Sequence, residues 1–146
     1  MPVPFEGGCV CGALRYSCSA EPIVAGHCQC NACRRSSGTG HSSTMMVPKD
    51  AVTIAGEVKL YESTADSGNA ITRAFCPTCG ASVYLTNSGA PKGLFLRASS
   101  LDDPEIFQPQ MVVNSARGAS WDKLDPTLPS FEAMPPNVGE IMSGGS

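Results

Sequence analysis

Apolar and polar residues alternate in short runs along much of the chain. Ala13-Leu14-Arg15-Tyr16-Ser17-Cys18 changes side at each step. Comparable runs occupy Ile23 to His27, Ser43 to Val47, Val52 to Ala55, Val58 to Glu62, Ala70 to Phe75, Ala81 to Thr86, Leu94 to Ala98 and Gln110 to Asn114. A period of two marks strands with one face buried, and the Gly, Pro, Asn, Asp and Ser between the runs end each strand after a few residues. No window carries an apolar stripe at 3.6-residue spacing. Helix is expected only as one turn after Asn31 and another near Ser100, where Leu101-Asp102-Asp103-Pro104-Glu105 makes a short acidic segment. The pattern predicts a mainly β fold of short antiparallel sheets. Pro126, Pro129, Pro135 and Pro136, followed by Gly139, Gly144 and Gly145, mark a tail over 126–146 that should wrap the surface and fray at its end.

Composition narrows the class. The 146 residues sit near the size of one ordinary domain, about 150 residues, so one domain over 1–146 is expected. Hydrophobic residues make up 42% and charged residues 16%, enough apolar material for a core and too little charge for a disordered chain. Ten Lys and Arg are scattered among thirteen Asp and Glu. A phosphate-binding surface needs a basic stripe, so nucleic acid is not an expected partner. No transmembrane run is present, and the start Met1-Pro2-Val3-Pro4-Phe5-Glu6 lacks the basic and apolar regions of a signal peptide. A cytoplasmic protein without a membrane partner is expected.

Cysteine carries the chemistry. Seven of eight cysteines form three clusters: Cys9-x-Cys11, Cys28-x-Cys30-x-x-Cys33 and Cys76-Pro77-Thr78-Cys79. In a reducing compartment such clusters are ligands or catalysts more often than disulfides, and thiolates at short spacing suit tetrahedral zinc. Gly12 follows Cys11 and Gly80 follows Cys79, and a glycine there lets backbone N–H groups turn toward the sulfurs without a Cβ clash. One knuckle supplies two ligands and zinc takes four, so Cys9, Cys11, Cys76 and Cys79 are expected to join across the fold as a structural site.

Cys28, Cys30 and Cys33 offer three thiolates, the number that leaves a catalytic zinc one open position. Two zinc ions per chain would then add three negative charges to the formal net charge of −3. Cys18 lies in an alternating run beside Tyr16 and reads as a small core hydrophobe. Either histidine could close the three-cysteine site. His27 adjoins Cys28 in a strand and so points to the opposite face; His41, in a Ser- and Gly-rich loop, is the better placed. A dithiol redox pair at Cys30 and Cys33 is the other reading, opposed by the extra Cys28 and by the absence of a βαβ pattern.

Four segments together strongly resemble the glutathione-dependent formaldehyde-activating enzyme family, also called the centromere protein V domain. They are Gly7-Gly8-Cys9-Val10-Cys11-Gly12, Gly26-His27-Cys28-Gln29-Cys30-Asn31-Ala32-Cys33-Arg34-Arg35-Ser36-Ser37-Gly38, Arg73-Ala74-Phe75-Cys76-Pro77-Thr78-Cys79-Gly80 and Ser100-Leu101-Asp102-Asp103-Pro104. The resemblance covers about residues 5 to 125 and implies a Mss4-like (β-tent) fold stapled by two zinc ions. Cys9, Cys11, Cys76 and Cys79 would hold one and Cys28, Cys30 and Cys33 the other. The implied activity is that of a carbon-sulfur lyase, S-(hydroxymethyl)glutathione synthase-like, in which a small thiol such as glutathione meets formaldehyde or a similar aldehyde. Arg34 and Arg35, beside the open cluster, are candidates for the peptide's carboxylates, as is Arg73 beside the closed one. Many members carry a His-Ile-Trp-like triplet where this chain has Val112-Val113-Asn114, a change that bears on the substrate pocket and leaves the ligands untouched. The alternative is a non-catalytic zinc-binding module that holds a protein partner.

Overall fold

Short alternating runs make short strands, and the chain keeps to that limit. The structure, a computed structural model, describes residues 3–142. Within them lie β1 (Phe5–Gly8), β2 (Arg15–Cys18), β3 (Val24–Cys28), α1 (Asn31–Ser37), β4 (Ser42–Pro48), β5 (Val52–Ala55), β6 (Lys59–Thr64), β7 (Ala70–Phe75), β8 (Ser82–Asn87), β9 (Gly93–Arg97), β10 (Met111–Val113) and α2 (Val138–Met142). The fold is mainly β. Every run marked as a strand in the sequence contains one, shifted by a residue or two at its ends.

Two sheets form. One has the order β1-β2-β5; the other has seven strands in the order β10-β3-β4-β9-β8-β7-β6. Their neighbours pair antiparallel, with one departure from the expected pattern: β10 runs parallel to β3, with Met111 opposite Gly26 and Val113 opposite Cys28. A parallel partner needs a long crossover rather than a hairpin, and the stretch from β3 to β10 supplies one. β1 was not anticipated because Gly7 and Gly8 weaken its pattern. It is held by the β2 ladder and by the Leu101 bridge to Gly7.

Alternation splits the long sheet into two faces. Ala25 lies opposite Met45, Met45 opposite Leu96 and Val47 opposite Leu94, and these buried residues join Phe5, Tyr16 and Cys18 of the small sheet, and Leu14 just before β2, in one core. Cys18, 0% exposed, is the core residue its context predicted. The next residue along each strand faces the other way, which puts Cys28, Ser42, Thr44 and Arg97 on the opposite face. Helix α1 packs there against β4.

The segment after β9 locks the sheets together. Tyr16 OH and Ser100 Oγ lie 2.7 Å apart, Asp102 N donates to Glu6 O at 3.1 Å, and Arg15 Nη1 donates to Asp102 Oδ1 at 2.8 Å. The acidic turn expected here is a 3-10 turn at Pro104–Ile106, capped by the Asp103 carboxylate, which accepts from Glu105 N at 3.0 Å. The tail does wrap. Val112 N donates to Pro129 O, and Phe131 N to Val112 O, each at 2.9 Å, so residues 129–131 cover the outer edge of β10. Helix α2 then follows Pro135 and Pro136, where no helix was expected. The fraying predicted for the last residues, 143–146, lies outside the described residues.

Tyr16 is 3% exposed, and burial pushes its phenol up to about 12, against about 10 for an unfolded tyrosine. Folding therefore favours the protonated phenol. Its contribution is whole below about pH 10 and is lost as the pH climbs through about 12. Urea denaturation between these values should show wild-type stability falling more steeply with pH than that of Tyr16→Phe. Equal slopes would exclude Tyr16 as the titrating group.

Candidate metal centres and the adjoining cleft

The β1–β2 turn and the β7–β8 turn bring four sulfurs together. Cys9, Cys11, Cys76 and Cys79 present ligand atoms that all lie within 4.8 Å of one another. Cys9 and Cys11 Sγ are 3.6 Å apart, and Cys11 and Cys76 Sγ 3.7 Å. A tetrahedral ion with metal–sulfur bonds of about 2.3 Å places its sulfurs about 3.8 Å apart, so the four residues fit a zinc ion. Backbone N–H groups support the sulfurs: Leu14 N donates to Cys9 Sγ at 3.2 Å and Thr78 N to Cys76 Sγ at 3.4 Å. Gly12 and Gly80 hold φ of 83° and 76°. A Cβ at either would meet nothing within 4 Å, so left-handed backbone, not crowding, is what requires glycine. The Leu14 N–H lowers the Cys9 thiol pKa, and backbone N–H groups of Cys11 and Ala81 pull Cys79 down to about 6. Cys11 goes the other way: Ala13 N–H draws it down, but the neighbouring Cys9 sulfur and burial push it up to about 11.

The second group forms where β3 runs into α1. Cys28, Cys30 and Cys33 also lie within 4.8 Å of one another, and among the described residues no His, Asp or Glu atom joins them. Cys30 is the N-cap of α1, its sulfur accepting from Cys33 N at 3.3 Å. Asn114 Nδ2 donates to Cys28 Sγ at 3.2 Å. The last residue of the Val112-Val113-Asn114 segment thus contacts this cluster directly. Asn114 sits in left-handed backbone, φ 55°, a conformation asparagine tolerates better than most side chains. The three sulfurs compete for protons: Cys28 and Cys33 thiols donate to Cys30 and pull it down, while Cys28 in turn pushes Cys33 up. A bound cation would relieve that competition by favouring all three thiolates.

Neither histidine completes the trio. His41 was the better placed by sequence, but its Nδ1 faces the Asp122 carboxylate, at 2.9 Å from Oδ1 and 3.1 Å from Oδ2. His27 points away from Cys28 as alternation requires, with Nδ1 2.8 Å from Ser43 Oγ and its ring edge-on to His41 and Phe107.

A cleft of about 800 Å³ opens beside α1, lined by residues that include Cys9, Arg35, Ser36, His41, Ser43, Arg97 and Ser100. Arg35 reaches it; Arg34, Arg73 and the three cysteines Cys28, Cys30 and Cys33 are not among its lining residues. Arg97, missed by sequence reasoning, is the important cation. It ends the apolar strand Gly93–Arg97, a lone charge after Leu94-Phe95-Leu96, which is the only hint the sequence offers. The residue is 3% exposed. Its Nη2 donates to Ser36 Oγ at 3.1 Å, while Nε and Nη1 are buried without an acceptor. Burial lowers its pKa, opposed first by attraction to Cys33. A buried guanidinium with unused donors is costly, on the order of 1–3 kcal/mol per unmet group, and this one borders both the cleft and the field of the three cysteines. Arg73 lies on the same face, with Nη1 donating to Ser63 Oγ at 2.9 Å and Nε buried without a partner.

Residues 4–117 match the family model described as glutathione-dependent formaldehyde-activating enzyme. No curated protein matches the chain. Among solved structures, the crystal structure of a Rhodobacter sphaeroides protein is similar, with a TM-score of 0.55 at 18% sequence identity over 86% of this chain and 98% of that one. At that identity the likeness concerns the fold. No helix among the described residues is long and apolar enough to cross a membrane.

The two groups should respond differently to loss of a ligand. The four-sulfur group joins two turns 65 residues apart in sequence, and structural metal binding is folding energy. Cys79→Ala should therefore lose one metal and unfold at 25 °C, since total stability is only about 5–15 kcal/mol. Cys30→Ala should lose the other metal and stay folded. Metal analysis and thermal melts check both; equal unfolding of the two variants would exclude the staple role.

Proposed function

The chain belongs to the glutathione-dependent formaldehyde-activating enzyme family, and we propose that it joins a small thiol such as glutathione to an aldehyde such as formaldehyde at the Cys28, Cys30, Cys33 cluster, a carbon-sulfur lyase reaction run toward synthesis. The observation that carries this is a three-thiol group with no fourth histidine, carboxylate or cysteine donor among the described residues. A zinc ion bound there supplies a Lewis acid that favours a thiolate over a thiol near neutral pH. Cys9, Cys11, Cys76 and Cys79 hold the other zinc as a structural staple. No cytoplasmic location follows from the absence of a spanning helix, and we retain it as an expectation for a chain rich in free thiols.

The chain's own residues supply recognition. Arg97, with buried unpaired donors on the cleft wall, receives a substrate carboxylate in a charge-assisted hydrogen bond. Arg35, at the cleft rim, offers a second cation in a solvated position where an ion pair is worth less. Arg34, on the same helix, is not among the residues that line the cleft. Asn114 holds the Cys28 sulfur through its amide.

Cobalt substitution tests the reading. In the cobalt-loaded chain, glutathione should change the thiolate-to-metal absorption and S-methylglutathione should not. Cys30→Ala should abolish the change, and Arg97→Met should weaken glutathione binding about 10- to 100-fold, the equivalent of one charged hydrogen bond. A spectrum indifferent to glutathione would leave two structural metals and a protein-interaction module instead.

A further inference from the structure

Asp122 is buried in a way that its surroundings have been built to allow. Its side chain is 7% exposed, and an isolated carboxylate at that depth would be strongly disfavoured. Burial alone would raise its pKa, but Gln29 Nε2, which donates to Oδ2 at 3.0 Å, and His41 hold it below the usual carboxylate value. Gln29 is itself 6% exposed. Two glycines make the room. A Cβ on Gly40 would lie 2.4 Å from Asp122 Cγ, and one on Gly118 would lie 2.8 Å from the Gln29 amide. The chain therefore spends two backbone positions, from segments 78 residues apart, on bringing one carboxylate to one imidazole.

The imidazole is correspondingly fixed. With Nδ1 against a carboxylate, His41 favours the tautomer that carries its proton on Nδ1, and the ring is further bounded edge-on by His27 at 5.0 Å. Nε2, at the far side of the ring, has no hydrogen-bond partner among the described residues, and His41 lines the cleft with Arg97 and Ser43. A ring nitrogen without a hydrogen-bond partner, on a histidine that a carboxylate orients and that lines a cleft, is the arrangement of a general base.

We propose that the Asp122–His41 pair is the proton-transfer device of the cleft, with His41 Nε2 as the catalytic base and Asp122 and Gln29 as positioning residues. The inference rests on the thiol–aldehyde reading above. As the sulfur–carbon bond forms and the carbonyl π bond breaks, Nε2 takes the thiol proton, and the imidazolium returns it to the carbonyl oxygen to give the hydroxyl of the adduct. Atoms and charge balance without a co-reactant. In the reverse direction the same nitrogen removes the hydroxyl proton and hands it to the departing sulfur.

Exchange NMR with ¹³C-formaldehyde, glutathione and the zinc-loaded full chain reads the interconversion of formaldehyde hydrate and hydroxymethyl adduct. Wild type should accelerate exchange over the uncatalysed background; if it does not, the thiol–aldehyde reading itself fails. Where it does, His41→Ala should lower the enzyme-dependent rate about 100-fold while keeping two zinc ions and an unchanged glutathione response in the cobalt-loaded form. Added imidazole should restore part of the loss. Asp122→Asn should lower the rate and shift the His41 ¹⁵N resonances away from the Nδ1-protonated tautomer. A His41→Ala enzyme as fast as wild type, or one that imidazole does not rescue at all, would overturn the proposal.

Discussion

The two-residue period of a β-strand decides where everything else in this protein can go. On β4 and β9, Met45, Val47, Leu94 and Leu96 face the small sheet and disappear into the core, so their neighbours Ser42, Thr44 and Arg97 must face the other way. A one-residue slip of either strand would bury Arg97 in the apolar core and expose the leucines. The same alternation in β3 sends Ala25 inward and Cys28 outward. The sheet thus has a dry side that stabilises it and a side on which thiols and a guanidinium meet.

The cysteine groups occupy the points where this sheet begins or ends. Cys76 follows β7 and is wholly buried, which ties the four-sulfur group to the core and fits a role in holding two turns together. The other trio grows out of the end of β3 and the first turn of α1, with the Cys30 sulfur capping the helix. Its surroundings are polar: Asn114 contacts one sulfur, and Arg97 lies within electrostatic reach. One group is set in the scaffold and the other in its chemistry.

Arg97 and His41 both line the cleft, and Asp122 backs the His41 ring. Each breaks an expectation for a stable core: a buried guanidinium with unused donors, an imidazole at a cleft wall with one ring nitrogen unpartnered, and a carboxylate packed under Gly40. Such local costs concentrate where a molecule must be bound and turned over. The arginines prominent in the sequence, Arg34 and Arg35, stand on α1, whereas the cation with two buried unpaired donors comes from the end of an apolar strand.

The strand pattern, the three cysteine clusters and the buried place of Cys18 were all legible in the chain itself, because alternation and ligand spacing are local properties written within a few residues. β1 was hidden by Gly7 and Gly8, and α2 lay beyond a proline pair that reads as a stop. The site was legible as far as its sulfurs. Its partners were not, since Arg97 and Ser36 are 61 residues apart, His41 and Asp122 are 81 apart, and Asn114 and Cys28 are 86 apart. No local pattern records such pairings. They arise only when the sheets close, and closure is what turned His41 from a candidate fourth ligand into the partner of a buried acid.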